Sequence, residues 1–140
     1  RGVDIALFSA GGGRSLDHAP RFAAAGATVV DNSSAWRMDP KVPLVVAGVN
    51  DDAVADHEGI IANPNCTTMV LLMALAPLHR AAGLRSMVVS SFQSVSGSGT
   101  QAMAELAAQT DALGSNLDAL KFGGWEDPGA EVYVRPIGWN

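Results

Sequence analysis

Hydrophobic and polar positions along this chain fall into short β-rich runs that alternate with longer Ala-rich stretches. Residues 3–9 (VDIALFS) read as a buried strand that breaks at Gly11-Gly12-Gly13. Residues 15–25 form a short helical stretch disturbed by Pro20 and closed by Gly26, the residue type helices favour just past their end. Residues 27–31 (ATVVD) are a second strand, followed by a polar loop over 32–40. Short strands are expected at 44–46 and 59–62, with a helical turn at 51–55 between them. A strongly apolar helix follows over 67–82, with Pro77 as a kink and Gly83 as its stop. Residues 85–92 (RSMVVSSF) read as another strand, 100–113 as a helix, and the tail from 114 as irregular with one short strand at Val132, Tyr133 and Val134. Strands alternating with helices predict a mostly parallel sheet in an α/β fold.

Composition narrows the function classes. With 140 residues, 48% hydrophobic and 16% charged, the chain has material for a core and is not of the disordered class. A net charge of −5 argues against a nucleic-acid partner, whose footprint is basic and clustered. The longest apolar run, residues 69–78, is about half of the roughly 20 residues that a membrane helix needs, so no membrane partner is expected. A single cysteine, Cys66, excludes an intrachain disulfide and fits a reducing, cytoplasmic setting. No signal-peptide pattern opens the chain; it starts at Arg1 without Met and stops in mid-pattern at Asn140, which reads as an internal fragment.

The chemistry concentrates in Asn63-Pro64-Asn65-Cys66-Thr67-Thr68. A short strand leads in, Pro64 ends the sheet, and the apolar helix begins at about Thr67. Cys66 is thereby expected at a helix N-terminus, where open backbone N–H groups and the helix dipole favour the anionic, nucleophilic form of a thiol. The same N–H groups suit the oxygen of a tetrahedral intermediate. A lone cysteine in an apolar segment is usually core packing, but polar residues on both sides of Cys66 argue against that here. Asn65 is placed either to orient a substrate carbonyl or to cap the helix. Gly11-Gly12-Gly13 alone marks only a turn; after an apolar strand it becomes an approach point for a dinucleotide.

The hexapeptide resembles the aspartate-β-semialdehyde dehydrogenase family, whose nucleophile lies in an N-x-N-C-T-type motif. The likeness runs through nearly the whole chain. Ser9-Ala10-Gly11-Gly12 looks like the family's second cofactor loop, and Asp31-Asn32-Ser33-Ser34-Ala35-Trp36-Arg37 like its substrate-phosphate loop. Residues 91–99 (SFQSVSGSG) look like the substrate and nicotinamide segment. The Cys-Thr-Thr triplet alone also occurs in glyceraldehyde-3-phosphate dehydrogenases, so the order of the motifs carries the weight.

The resemblance implies Cys66 as nucleophile with Asn65 beside it, Arg37 gripping substrate phosphate through paired N–H donors, and Gln93 orienting the substrate. It implies NADP contacts from Ser9, Ala10, Gly11, Gly12, Ser96 and Gly97. The fold it implies is the later part of a doubly wound, Rossmann-like NADP-binding domain over 1–64, followed by the beginning of an α+β catalytic and dimerisation domain over 65–140. The activity it implies is NADP-dependent reductive dephosphorylation of β-aspartyl phosphate to aspartate semialdehyde through a cysteine thioester, in lysine (diaminopimelate), methionine and threonine biosynthesis. Small molecules are the implied partners, with a homodimer or homotetramer as the assembly. Two other readings compete: a related acyl-phosphate reductase such as N-acetylglutamyl phosphate reductase, and a non-catalytic binding fragment. The first typically sets an aromatic residue beside its cysteine, which Thr67 is not.

Some features fall outside the pattern. The G-x-x-G-x-x-G fingerprint of a first cofactor strand is missing, and none of His18, His57 and His79 lies in the family's Arg…Gly-His setting. The general base is therefore expected outside the chain, and the 140 residues alone are expected to be inactive. No histidine has metal-ligand spacing with Cys66, so no metal is expected. His79 reads as surface or partner-facing, and Asp51, Asp52, Asp56 and Glu58 as a solvated face. Gly48 stands where the family pattern has a Glu before Val-Asn.

Overall fold

The structure, a computed structural model, describes residues 2–114, 118, 121 and 127–138. Backbone contacts divide the chain into two compact units, Arg1–Ser91 and Phe92–Asn140.

In the first unit β1 (Ile5–Phe8), β2 (Thr28–Asp31) and β3 (Ile60–Ala62) form a parallel sheet in that order. Phe8 pairs with Asp31 and Asp31 with Ala62, so the three strands end level. Helix α1 (Gly12–Ala24) connects β1 to β2. Its buried Ser15 and Ala19, with half-buried Ala23, recur every four residues and make the stripe that packs on the sheet. Ala6, Ala19, Val29 and Ile60 form the central cluster of the core, and Phe8, Ala23, Trp36 and Val42 pack against it. Phe8 and Phe22 meet edge to face at 5.4 Å. Three residues, 63–65, separate β3 from helix α2 (Cys66–Ala82). At its far end Arg80 Nη2 donates to the Val49 carbonyl at 2.5 Å, and Leu84 N–H donates to His79 Nδ1 at 3.0 Å. His79 thus closes a helix end.

The fold class is the expected α/β with a parallel sheet, and several details differ. Helix α1 starts at Gly12 rather than 15 and runs unbroken through Pro20. Pro20 is on the exposed side, where water can serve the carbonyl that proline leaves unpaired. The strand expected over 3–9 is only half buried: Val3, Ile5 and Leu7 are exposed, because α1 covers one face of an edge strand. The strand expected at 44–46 shrinks to one parallel bridge between Leu44 and Ala62; Pro43, just before it, has no N–H to extend the ladder. Residues 85–92 are not a strand. Val88 and Phe92 are fully exposed, and among the described residues no strand offers this stretch a ladder.

Two glycines are dictated by their surroundings. Gly59, at φ +101° before β3, lies so close to α1 that a Cβ there would sit 2.8 Å from Ala23 Cβ. Gly48 takes φ +78° while its N–H donates to Asp51 Oδ1 at 2.7 Å, so a side chain at this position would be strained in this loop.

In the second unit, helix α3 (Thr100–Gly114) follows a 3-10 turn at Val95–Ser98. Its Glu105 and Gln109, one turn apart, bind the backbone of the tail. Glu105 Oε2 accepts from Glu131 N–H at 2.8 Å and Val132 N–H at 2.6 Å. Gln109 Nε2 donates to the Gly129 carbonyl at 2.8 Å, and its Oε1 accepts from Ile137 and Gly138 N–H, each at 2.9 Å. The strand expected at Val132–134 is absent for this reason: Val132 gives its amide to a carboxylate instead of a neighbouring strand.

Two predictions follow from this packing. Gly59→Ala combines a clash with an unfavourable φ and should lower stability by on the order of 2–3 kcal/mol in denaturant unfolding. Adding Ala23→Gly should recover only the part due to the clash; full recovery would show that φ carries no cost. The backbone N–H of Val132, then those of Glu131 and Tyr133, hold the Glu105 carboxyl below its ordinary value. A group lowered in the folded state stabilises above its unfolded pKa of about 4.3 and loses that contribution as pH falls through the folded value. Protection of the Glu131 and Val132 amides, measured as hydrogen exchange relative to the intrinsic rate at each pH, should therefore fall on acidification through and below the ordinary glutamate range, and should be low already at neutral pH in Glu105→Gln.

Candidate active site

The level ends of the three strands leave three polar residues in a row: Ser9 after β1, Asn32 after β2 and Asn63 after β3. Asn63 Nδ2 donates to Asn32 Oδ1 at 3.4 Å, and Asn32 Nδ2 approaches Ser9 Oγ at 3.5 Å, a weak chain of contacts along the carboxyl edge of the sheet. Ligands of open α/β sheets bind at this edge.

The loop after β2 is built from inside. Asp31 is buried; its Oδ2 accepts from Ser33 Oγ–H at 2.6 Å, and Ser33 Oγ accepts from Ala35 N–H at 3.2 Å. Trp36 Nε1–H donates to the buried Ser15 Oγ at 2.9 Å, fixing the loop on α1. Arg37 follows, half-buried. Its Nε donates to the Asn63 carbonyl at 2.7 Å and its Nη2 to the Asn32 carbonyl at 3.1 Å. The guanidinium therefore bridges the loop after β2 and the turn that leads to Cys66.

That turn places Cys66 as the first residue of α2, one residue earlier than the helix expected from sequence. Asn65 is the cap: its Oδ1 accepts from Thr67 N–H at 2.9 Å and also from the Thr67 hydroxyl. The Cys66 sulfur lies 4.0 Å from the same oxygen. Capping is one of the two roles that the residue types left open for Asn65. Cys66 is exposed and opens on a groove of about 460 Å³, lined by Thr67, Thr68 and Leu71 of α2 and by residues 89–91.

Ser9, Ala10 and Gly11 lie exposed between β1 and α1, with nothing within 4 Å of the space where a Gly11 Cβ would be. Gly12 backs onto Ala35, 3.9 Å from its would-be Cβ. The structure thus gathers residues 9–12, Arg37, Asn65 and Cys66 at one edge of the first unit. Gln93, Ser96 and Gly97 belong to the second unit and lie together there. A Cβ on Gly97 would come within 2.8 Å of Gln93 Nε2, and the Ser94 and Ser96 hydroxyls share a hydrogen bond at 2.9 Å. His57 and His79 each use Nδ1 to accept a backbone N–H, from Gly59 and Leu84. Among the described residues no three His, Cys, Asp or Glu side chains cluster as metal ligands would.

Sequence reasoning assigned no role to Asn63 or Asn32. A signal was present, since each strand is followed at once by a small polar residue, but their carbonyls' partner lies 26 and 5 residues away along the chain.

Comparison with known proteins agrees with this geometry. Residues 1–57 match the family model described as "Semialdehyde dehydrogenase, NAD binding domain", and residues 75–140 the one described as "Semialdehyde dehydrogenase, dimerisation domain". A relative from Corynebacterium glutamicum, named aspartate-semialdehyde dehydrogenase, is 55% identical over 99% of this chain and 41% of its own length. The crystal structure of aspartate semialdehyde dehydrogenase II from Vibrio cholerae superposes with a TM-score of 0.70 at 42% identity, over 99% of this chain and 39% of that one. A second Vibrio cholerae structure, of the same enzyme complexed with ASA, gives 0.56 at 52% identity, over 58% of this chain and 27% of that one. This chain therefore spans about two fifths of the relatives it matches. With both domain models in order, and motif, cap and sheet edge in agreement, the chain belongs to the semialdehyde dehydrogenase family.

Proposed function

We propose that the protein carrying this sequence is an NADP-dependent aspartate-semialdehyde dehydrogenase that converts β-aspartyl phosphate to aspartate semialdehyde and phosphate through a thioester on Cys66. The observation that carries the reading is the placement of Cys66 at the head of α2, behind the Asn65 cap, in a turn bound by Arg37.

In this mechanism the Cys66 thiolate forms a bond to the acyl carbon, and the open N–H groups at the helix start receive the oxyanion. The carbon–oxygen bond to phosphate then breaks, phosphate leaves with the electron pair, and a thioester remains. Two of the five N–H donors of Arg37 serve backbone carbonyls, which leaves donors for the phosphate oxygens. Gln93 orients the substrate. Ser9, Ala10, Gly11 and Gly12, with Ser96 and Gly97, would hold the nicotinamide cofactor; the open space over Gly11, at the carboxyl end of a parallel strand, suits a close backbone approach. A nicotinamide bound there would supply hydride for reduction of the acyl group, and Cys66 would be the sulfur released as thiolate when the aldehyde departs.

The domain model over 1–57 supports a nicotinamide cofactor, and NADP is the choice made from the family likeness. The dimerisation model over 75–140 supports a homodimer or homotetramer. In this reading residues 1–64 end the cofactor domain and 65–140 begin the catalytic one. The setting is the cytoplasm and the pathway that to lysine, methionine and threonine.

Cys66→Ser in the complete protein should abolish phosphate-dependent NADP reduction with aspartate semialdehyde and leave cofactor binding by fluorescence titration intact. Turnover near wild type would sink the nucleophile. Turnover with N-acetylglutamate semialdehyde in preference to aspartate semialdehyde would move the substrate to the neighbouring family. Arg37→Lys keeps the charge and loses the planar fork, so it should weaken phosphate binding by on the order of 1–3 kcal/mol, with a much smaller effect on the phosphate-free aldehyde. Equal losses for both ligands would remove the phosphate role.

A further inference from the structure

Arg37 stands where two backbone ladders run out. Between β2 and β3, Val29 N–H donates to the Gly59 carbonyl and Asn63 N–H to the Asp31 carbonyl, each at 2.8 Å. In a parallel ladder the residue that donates backward also accepts from two positions further on, so the next rung would join Ser33 N–H to the Asn63 carbonyl. Between β1 and β2, Thr28 N–H donates to the Asp4 carbonyl and Asn32 N–H to the Phe8 carbonyl, each at 2.8 Å, and the next rung would join Ala10 N–H to the Asn32 carbonyl. Both strands turn away before those rungs form. The guanidinium replaces them, Nε on the Asn63 carbonyl at 2.7 Å and Nη2 on the Asn32 carbonyl at 3.1 Å. Pro64 follows Asn63 and is buried, its ring fixes φ next to the held carbonyl, and Asn65 then caps α2.

We propose that Arg37 is a positioning residue as well as a ligand for phosphate: it closes both ladders and, through the Asn63 carbonyl, sets the turn that delivers Cys66 to the head of α2 with no anion bound. Its catalytic meaning rests on the reading of Cys66 as nucleophile; the brace itself does not. Lysine cannot take this role, because a single ammonium on a flexible stem has no rigid fork to span two carbonyls.

The test uses the chain in phosphate-free buffer at neutral pH, without coenzyme. In the unaltered chain the Nε–H of Arg37, assigned as the signal lost in Arg37→Lys, should exchange with water far more slowly in ¹⁵N NMR than those of Arg14 and Arg21. In Arg37→Lys, exchange at the Thr67 amide should speed up, and the rate of Cys66 alkylation by iodoacetamide should fall by roughly threefold or more. Arg21→Lys, a control on α1, should change neither. An Arg37 Nε–H that exchanges like the other arginines overturns the brace even if Arg37→Lys fails to fold. Unchanged alkylation and Thr67 exchange in a folded Arg37→Lys chain overturn the positioning role. Neither result depends on turnover, so loss of the dehydrogenase reading and loss of the brace are separable.

Discussion

A parallel sheet must end somewhere, and the backbone groups at its carboxyl edge must be served when it does. Here the three strands stop level, so the demand falls at one place on Asn32 and Asn63 together. One guanidinium meets it, because its N–H groups diverge from a rigid plane and reach two carbonyls at once. The consequence is geometric. The turn before Cys66, the loop after β2 and the glycine loop after β1 are brought to a common level, and α1 and α2 both start beyond the carboxyl ends of strands, after β1 and β3.

What holds the loop around Arg37 is polar. The cluster it packs against, Ala6, Ala19, Val29 and Ile60, includes two alanines, which offer little apolar area. Shape in residues 31–37 comes instead from buried polar contacts: Asp31 to Ser33, Ser33 to Ala35, and Trp36 to Ser15. Such networks specify a conformation because any alternative leaves a buried group without a partner. Among the described residues Asp31 Oδ1 already has none. The carboxylate is thus kept in place by its neighbours' need for it, and the loop is stiff next to an exposed edge.

How much of this could be read in the residues depends on whether a feature is local. The helix start at Cys66 was legible, since Asn65, Pro64 and the apolar run after Thr68 all act within one turn. Strands β1, β2 and β3 were legible because each has a partner in the same unit. Residues 85–92 and Val132–134 carry the same β-prone composition and form no strand, because a strand is a property of a pair and composition describes only one member. The need for Gly59 was equally hidden: it depends on Ala23, 36 residues earlier, approaching to within van der Waals contact. Arg37 was picked out as an anion ligand from its loop, while its two backbone acceptors became visible only once the strands were in register.

The two units solve one problem with opposite charges. At the sheet edge, carbonyls without partners meet a guanidinium; in the tail, amides without partners meet the Glu105 carboxylate and the Gln109 amide oxygen. The guanidinium offers donors alone and the carboxylate acceptors alone, so each suits the backbone groups that it serves. A carboxylate that accepts several backbone N–H bonds is held in its charged form by them and releases them when it is protonated. Acid therefore acts on the irregular tail of the second unit, whose backbone amides are held by the Glu105 carboxylate.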